Sequence, residues 1–182
     1  MSRGATWTND DGLVVGFGTH SDDNDVPAVT ANPDGSKTMK MVITLADLDD
    51  TFAATSKAPQ APRIRRGSIV KSAHIQTLVA ATSGGSATLD IGTWALAATE
   101  AVDVADGLVA DVTIAEMTTI GEIHVLDGAL INASGVTAVG AVGDADCVLA
   151  PSYETAVFTA GSVELVVTYF EPGYTDPLLA VN

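Results

Sequence analysis

The stretch from Arg63 to Trp94 constrains this chain most. Two β-rich runs, Ile69–Ala80 and Ala87–Trp94, flank the connection Ser83-Gly84-Gly85-Ser86. Strand-like runs separated by a short Gly-containing turn read as an antiparallel pair. Strand signals continue on either side. Met39, Met41, Ile43 and Leu45 fall on one face of an extended segment, with Lys40, Val42 and Thr44 on the other. Near the end, Val163, Leu165, Val167 and Tyr169 alternate with Glu164, Val166 and Thr168. Glu122–Leu126 and Val136–Val142 read as further strands, and Val104-Ala105-Asp106-Gly107 as a turn. Asp111–Met117 fits either a strand or a short helix. Short strands at this spacing predict an all-β chain: a single antiparallel β-sandwich or jelly-roll-like domain.

The N-terminal region has a different texture. Trp7, the turn Asn9-Asp10-Asp11-Gly12 and the run Leu13–Gly18 predict a short hairpin or an extended arm. His20–Ser36, with Asp22, Asp23, Asp25, Pro27, Pro33 and Gly35, reads as a loop by composition. The expected organisation is therefore an N-terminal arm and loop over residues 1–36 and a β-sandwich domain over residues 37–182. Within the latter, Ala46–Pro62 reads as a connection with one helical turn, and Glu171–Asn182 as an extended tail.

A chain of 182 residues is about one domain long and buries roughly 70% of its unfolded surface, enough for one core. With only nine aromatic residues, that core has to come from small and branched side chains, which suit pleated sheets. Charge divides sharply along the chain. Residues 1–71 hold nine acids and eight bases, a net of −1, whereas residues 72–182 hold fourteen acids and no Lys or Arg, a net of −14. A phosphate-binding groove needs clustered Lys and Arg, so nucleic acid is not an expected partner. Cys147 is the only cysteine, which excludes an intrachain disulfide and a multi-Cys zinc site. The N-terminus lacks the apolar run of a signal peptide, and no stretch has the sustained apolarity of a membrane span. The expectation is a soluble protein made in a cytoplasm, with no membrane partner.

Signals for catalysis are weak. Gly16-Phe17-Gly18-Thr19-His20-Ser21 begins like a dinucleotide loop, but an acidic, Pro-containing segment follows where a helix is required. His20, His74 and His124 lie far apart and none is near Cys147 in sequence, so no zinc spacing exists. No Gly-x-Ser-x-Gly elbow is present, and the scarcity of aromatics argues against a sugar-stacking glycosidase site. Asp22-Asp23-Asn24-Asp25 and Asp103–Asp106 offer oxygen ligands of the kind Ca²⁺ takes, but neither has the spaced EF-hand pattern, and solvated acidic turns explain them more simply. The expectation is no enzyme activity, no cofactor and no metal.

Arg63, Arg65 and Arg66 form the densest basic cluster on an otherwise acidic chain. Arginine makes forked contacts to carboxylates, so the cluster reads as an interface for an acidic partner surface. Pairing within the chain, with Asp47, Asp49 or Asp50, is an equally weighted reading.

Several segments together resemble structural proteins of tailed bacteriophages, in particular head decoration or cement proteins. They are Trp7–Thr19, Arg66–Ala73, Gly84–Thr93, Ala105–Ala110 and Phe158–Tyr169. The resemblance implies a β-sandwich body without catalysis, located on the capsid exterior of a virion assembled in the host cytoplasm. It implies the major capsid protein as partner and self-association at a symmetry point of the shell, where a homotrimer would fit. Trp7 and Phe17 would be apolar anchors of a docking arm, or would cap the protein's own sheet. A phage tail or neck protein and a β-sandwich carbohydrate-binding module are the competing readings.

Overall fold

The computed structural model describes residues 5–8, 14–17, 28–50, 63–96, 101–131, 139 and 145–171. Eleven strands are seen among them: β1 (Ala5–Thr8), β2 (Val14–Phe17), β3 (Ala28–Ala31), β4 (Lys37–Thr44), β5 (Arg63–Ile64), β6 (Ile69–Ser83), β7 (Thr88–Ala95), β8 (Ala101–Thr113), β9 (Ile123–Val125), β10 (Cys147–Glu154) and β11 (Phe158–Phe170). β1 and β2 pair with each other as a hairpin. The rest form a four-stranded sheet, β5-β10-β7-β8, and a five-stranded sheet, β3-β4-β11-β6-β9, with every pairing antiparallel. Short 3-10 turns follow β4 (Leu45–Asp47) and β8 (Ile114–Met117). No helix among the described residues is long and apolar enough to cross a membrane.

The two sheets bury alternate residues against each other, which makes the chain an all-β sandwich. From the five-stranded sheet come Met39, Ile43, Val70, Ile75, Val163, Leu165, Val167 and Tyr169, and from the four-stranded sheet Leu89, Ile91, Leu108, Val112 and Leu149. Burying one such side chain fully contributes about 1.5–3 kcal/mol. The alternation read in β4 and β11 matches these buried faces, and β11 lies between β4 and β6 with Leu165 opposite both Met41 and Ile75.

Three expectations are corrected. β6 and β7 are both strands, but they do not pair: β6 joins β11 and β9, whereas β7 joins β10 and β8. The Gly84-Gly85 connection therefore crosses between layers, and the apolar faces of β6 and β7 meet through the core. Alternation specifies which face a strand buries, not which strand lies beside it. Secondly, Ala28–Ala31 is a strand inside the stretch read as loop. It pairs with β4 from Ala28–Lys40 to Ala31–Lys37, and a turn at residues 32–36 links them. There Asp34 accepts hydrogen bonds from the Ser36 hydroxyl (2.6 Å), the Ser36 N–H (3.0 Å) and Lys71 (3.1 Å), which pull its pKa down to about 2.

The third correction is Val104–Gly107, which is no chain reversal but a break in register within β8. Between the pairs Ile91–Val109 and Thr93–Val104, β7 advances two residues while β8 advances five, so three residues of β8 are looped out. Such bulges bend a strand and re-aim its side chains. The bulge rests on two backbones. A Cβ on Gly92 would collide with the carbonyl oxygens of Ala105 and Val104, and one on Gly128 with the carbonyl oxygens of Asp106 and Leu108. Across the second contact, the N–H groups of Gly128, Ala129 and Leu130 donate to the carbonyls of Leu108 (2.7 Å), Asp106 (3.0 Å) and Gly107 (2.8 Å). The Asp-Gly signal is thus real and marks a kink.

Beyond these, the expected turn Asn9–Gly12, the Asp22–Asp25 loop, residues 51–62 of the connection and the tail after Glu171 lie outside the described residues. Of the strand expected over Val136–Val142 only Val139 is described, as a turn residue whose N–H and C=O bond to Ser68 and Gly67.

Gly92→Ala is expected to destabilise the domain by about 3 kcal/mol or to prevent folding, because the clash is with backbone that cannot rotate away. Gly84→Ala, with nothing within 4 Å of a built Cβ, is expected to stay within about 0.5 kcal/mol of the parent. Urea denaturation of both variants checks the pair.

Candidate functional site

The four-stranded sheet carries opposite chemistry at its two ends. At one end, β5 brings Arg63 beside Val148 at the start of β10, and Arg65 and Arg66 follow in the turn to β6. All three are exposed. The Arg66 backbone N–H donates to Asp146 Oδ1 at 3.1 Å, and Arg65 and Arg66 also take part in further interactions. The three arginines of the sequence cluster thus lie within four residues of chain at this end of the sheet. Among the described lysines, Lys37 pairs with Glu171 at 2.6 Å, Lys40 with Glu164 at 3.3 Å and Lys71 with Asp34 at 3.1 Å. Trp7 stands opposite Val15 and Phe17 opposite Ala5 in the β1–β2 hairpin. Their side chains lie outside the described residues.

At the other end of the sheet, Asp90 of β7, Asp111 of β8 and Glu154 of β10 bring carboxylate oxygens within 4.8 Å of one another. From Val148 to Glu154 is six residues of extended chain, so this end lies about 20 Å from Arg63. Strand pairing places Glu154 opposite Thr88, two residues from Asp90 on the same face. A second break in register places Asp111: from Leu89–Val112 to Ile91–Val109, β8 takes three steps against two of β7. Asp111 has φ 56°, a left-handed conformation that aspartate tolerates better than most residues. Its N–H is thereby aimed at Asp90 Oδ1, 2.6 Å away.

Asp90 is buried, at 7% exposure, whereas Asp111 and Glu154 face solvent. Loss of solvent around Asp90 pushes its pKa up. The hydrogen bond from Asp111 N–H opposes this, and the charges of Glu154, Asp111 and Asp106 add to it. Three carboxylates at this spacing relieve their repulsion by retaining a proton or by holding a hard cation through oxygen. Next to them is an open depression lined by Asp50, Tyr153, Glu154 and Val157.

Sequence reasoning missed this trio, since its members come from three strands and one is placed by a bulge. Of the acidic runs considered for Ca²⁺, Asp22–Asp25 lies outside the described residues, and Asp106 sits exposed in the β8 bulge with its carbonyl accepting from Ala129. Of the histidines, His74 lies on β6, and His124 lies on β9 with its Nδ1 3.7 Å from Glu116. Cys147 is buried at the start of β10, its thiol 3.7 Å from the Ala145 carbonyl.

No family model matches the chain, and no curated protein matches it. Among solved structures it is similar to one described as "Cyanophage Pam1 capsid asymmetric unit", with a TM-score of 0.40 and 20% identity over 80% of this chain and 92% of that one. A likeness this loose assigns no function.

The raised Asp90 pKa sets a direction for stability against pH. A carboxyl that holds its proton more tightly when folded contributes stability in acid and loses it as pH rises through the folded pKa. Asp90→Asn keeps an acceptor for the Asp111 N–H and removes the charge. The variant is expected to match the parent in thermal melts near pH 4 and to melt higher at pH 7–8. Equal melting temperatures at both pH values would mean that Asp90 ionises without cost.

Proposed function

We propose that this chain is a non-catalytic structural protein of a tailed-phage virion, which binds the outside of the capsid as a decoration protein and stabilises it. The observation that carries the reading is the polarity of the four-stranded sheet, with Arg63, Arg65 and Arg66 at one end and Asp90, Asp111 and Glu154 at the other. A protein that coats a shell needs one end to dock and another to face water. Exposed arginines supply forked contacts to carboxylates of a partner, while a strongly acidic outer part keeps decorated particles dispersed.

The order-preserving resemblance of five β segments to decoration proteins supports the same reading, as does the two-sheet sandwich itself. The major capsid protein is the proposed partner and the virion exterior the proposed location. The part of residues 1–36 that precedes β3 is proposed as a docking arm that carries Trp7 and Phe17 as apolar anchors. A trimer at a threefold position of the shell is the oligomer this reading expects.

Sedimentation with intact, undecorated phage heads tests the proposal. Saturable binding that weakens from low to high salt is expected. Replacing Arg63, Arg65 and Arg66 together by Ala is expected to weaken binding about tenfold or more at low salt, or about 1.4 kcal/mol, and to flatten the salt dependence. Absence of binding to heads, with copurification on tails, would move the protein to the tail or neck.

A further inference from the structure

The five-stranded sheet ends at β9, and among the described residues no strand lies on its outer side. β9 pairs with β6 in the register Gln76–Ile123, Ile75–His124 and His74–Val125. Beside these pairs, the Thr77 N–H donates to the Glu122 carbonyl and the Leu126 N–H to the Ala73 carbonyl, each at 3.0 Å. An antiparallel ladder uses alternate residues of a strand. Glu122, His124 and Leu126 therefore direct their backbone groups to β6, while Ile123 and Val125 turn theirs to the open side.

The same two residues expose large apolar side chains. Ile123 is 57% and Val125 70% exposed, and Ile120 in the preceding turn is 69% exposed. Open edges are commonly blunted by shortness, a Lys, a Pro or a bulge; β9 is only three residues long, but it reads Ile-His-Val and pairs with β6 in even register. The chain on either side of it is acidic. Glu116, Glu122 and Asp127 flank it, and no Lys or Arg occurs after Lys71. Glu116 is held ionised, since hydrogen bonds from the Thr113 N–H and hydroxyl, both 2.8 Å, keep its carboxyl below the usual range.

We propose that β9 accepts an added strand from the capsid partner, an extended segment with apolar side chains at alternate positions and Lys or Arg beside them. Main-chain hydrogen bonds to Ile123 and Val125 would supply affinity, and their side chains and the acidic flanks would select the partner. A second copy of this chain is the poorer occupant. It would bring Glu122 and Asp127 against their own equivalents, on molecules that each carry a net −15. The inference rests on the capsid-binding reading and adds to the Arg-bearing end a second, backbone-mediated contact.

Two variants address it. Val125→Pro removes an N–H that does not serve β6, a place where an edge strand tolerates proline. Ile123→Thr with Val125→Thr keeps β-branched side chains and removes apolar surface. Both are compared with the parent by sedimentation with undecorated heads, and hydrogen exchange is read on the parent complex. The expected result is a tenfold or greater loss of binding in each variant at unchanged melting temperature, with slowed exchange at the Ile123 and Val125 amides of the bound parent. If Val125→Pro fails to fold, the double Thr variant decides. Parent-like binding by the variants, or unprotected amides at 123 and 125, would overturn strand addition and leave capsid binding standing. Failure of the parent itself to bind heads would overturn both. A concentration-dependent dimer of the parent that the double Thr variant abolishes would assign the edge to a second copy instead.

Discussion

Backbone packed directly on backbone at Gly92 and Gly128 is the constraint on which the rest of the four-stranded layer depends. The looped-out part of β8 fits only because neither neighbour has a side chain there. Downstream of it, β8 resumes pairing in a shifted register, and Asp111 arrives in a left-handed conformation with its N–H on Asp90. The Gly128 contact also ties down the segment that leaves β9, since three successive N–H groups from Gly128 to Leu130 bond to the bulge.

The four-stranded sheet holds the exposed arginines and the carboxylate trio at opposite ends, whereas the five-stranded sheet ends in a short strand that exposes the apolar side chains of Ile123 and Val125. Lys37, Lys40 and Lys71 are paired within the chain and tie β4 to the end of β11 and the β3–β4 turn to β6. Solvent and salt screen such surface pairs, so they add little to stability.

Periodicity is enough to find β4 and β11, because Met39, Met41, Ile43 and Leu45, and Val163, Leu165, Val167 and Tyr169, recur at every second position and pack in or against the core. It was not enough to pair β6 with β11, because a buried face is satisfied by whatever lies across the core. Asp106-Gly107 gave a correct local signal whose meaning depended on Gly92, fourteen residues earlier, and on Gly128. The acidic trio was invisible for the same reason: Asp90, Asp111 and Glu154 have no common spacing until a register shift brings them together. Ile123 and Val125 posed the opposite difficulty. In sequence they look like core residues, and only the strand order shows that they stand at an edge.

The position of β11 has a consequence for how the chain is made. It is the central strand of the five-stranded sheet, yet the last described strand to emerge during synthesis. β4 and β6, which flank it, appear on the ribosome long before the strand that must separate them. Tyr169 has to meet Lys37 across 132 residues of chain, the kind of distant pairing that slows folding. Until then β4 has only β3 beside it and β6 only β9, and the edges that await β11 are the ones a nascent chain must keep from pairing wrongly.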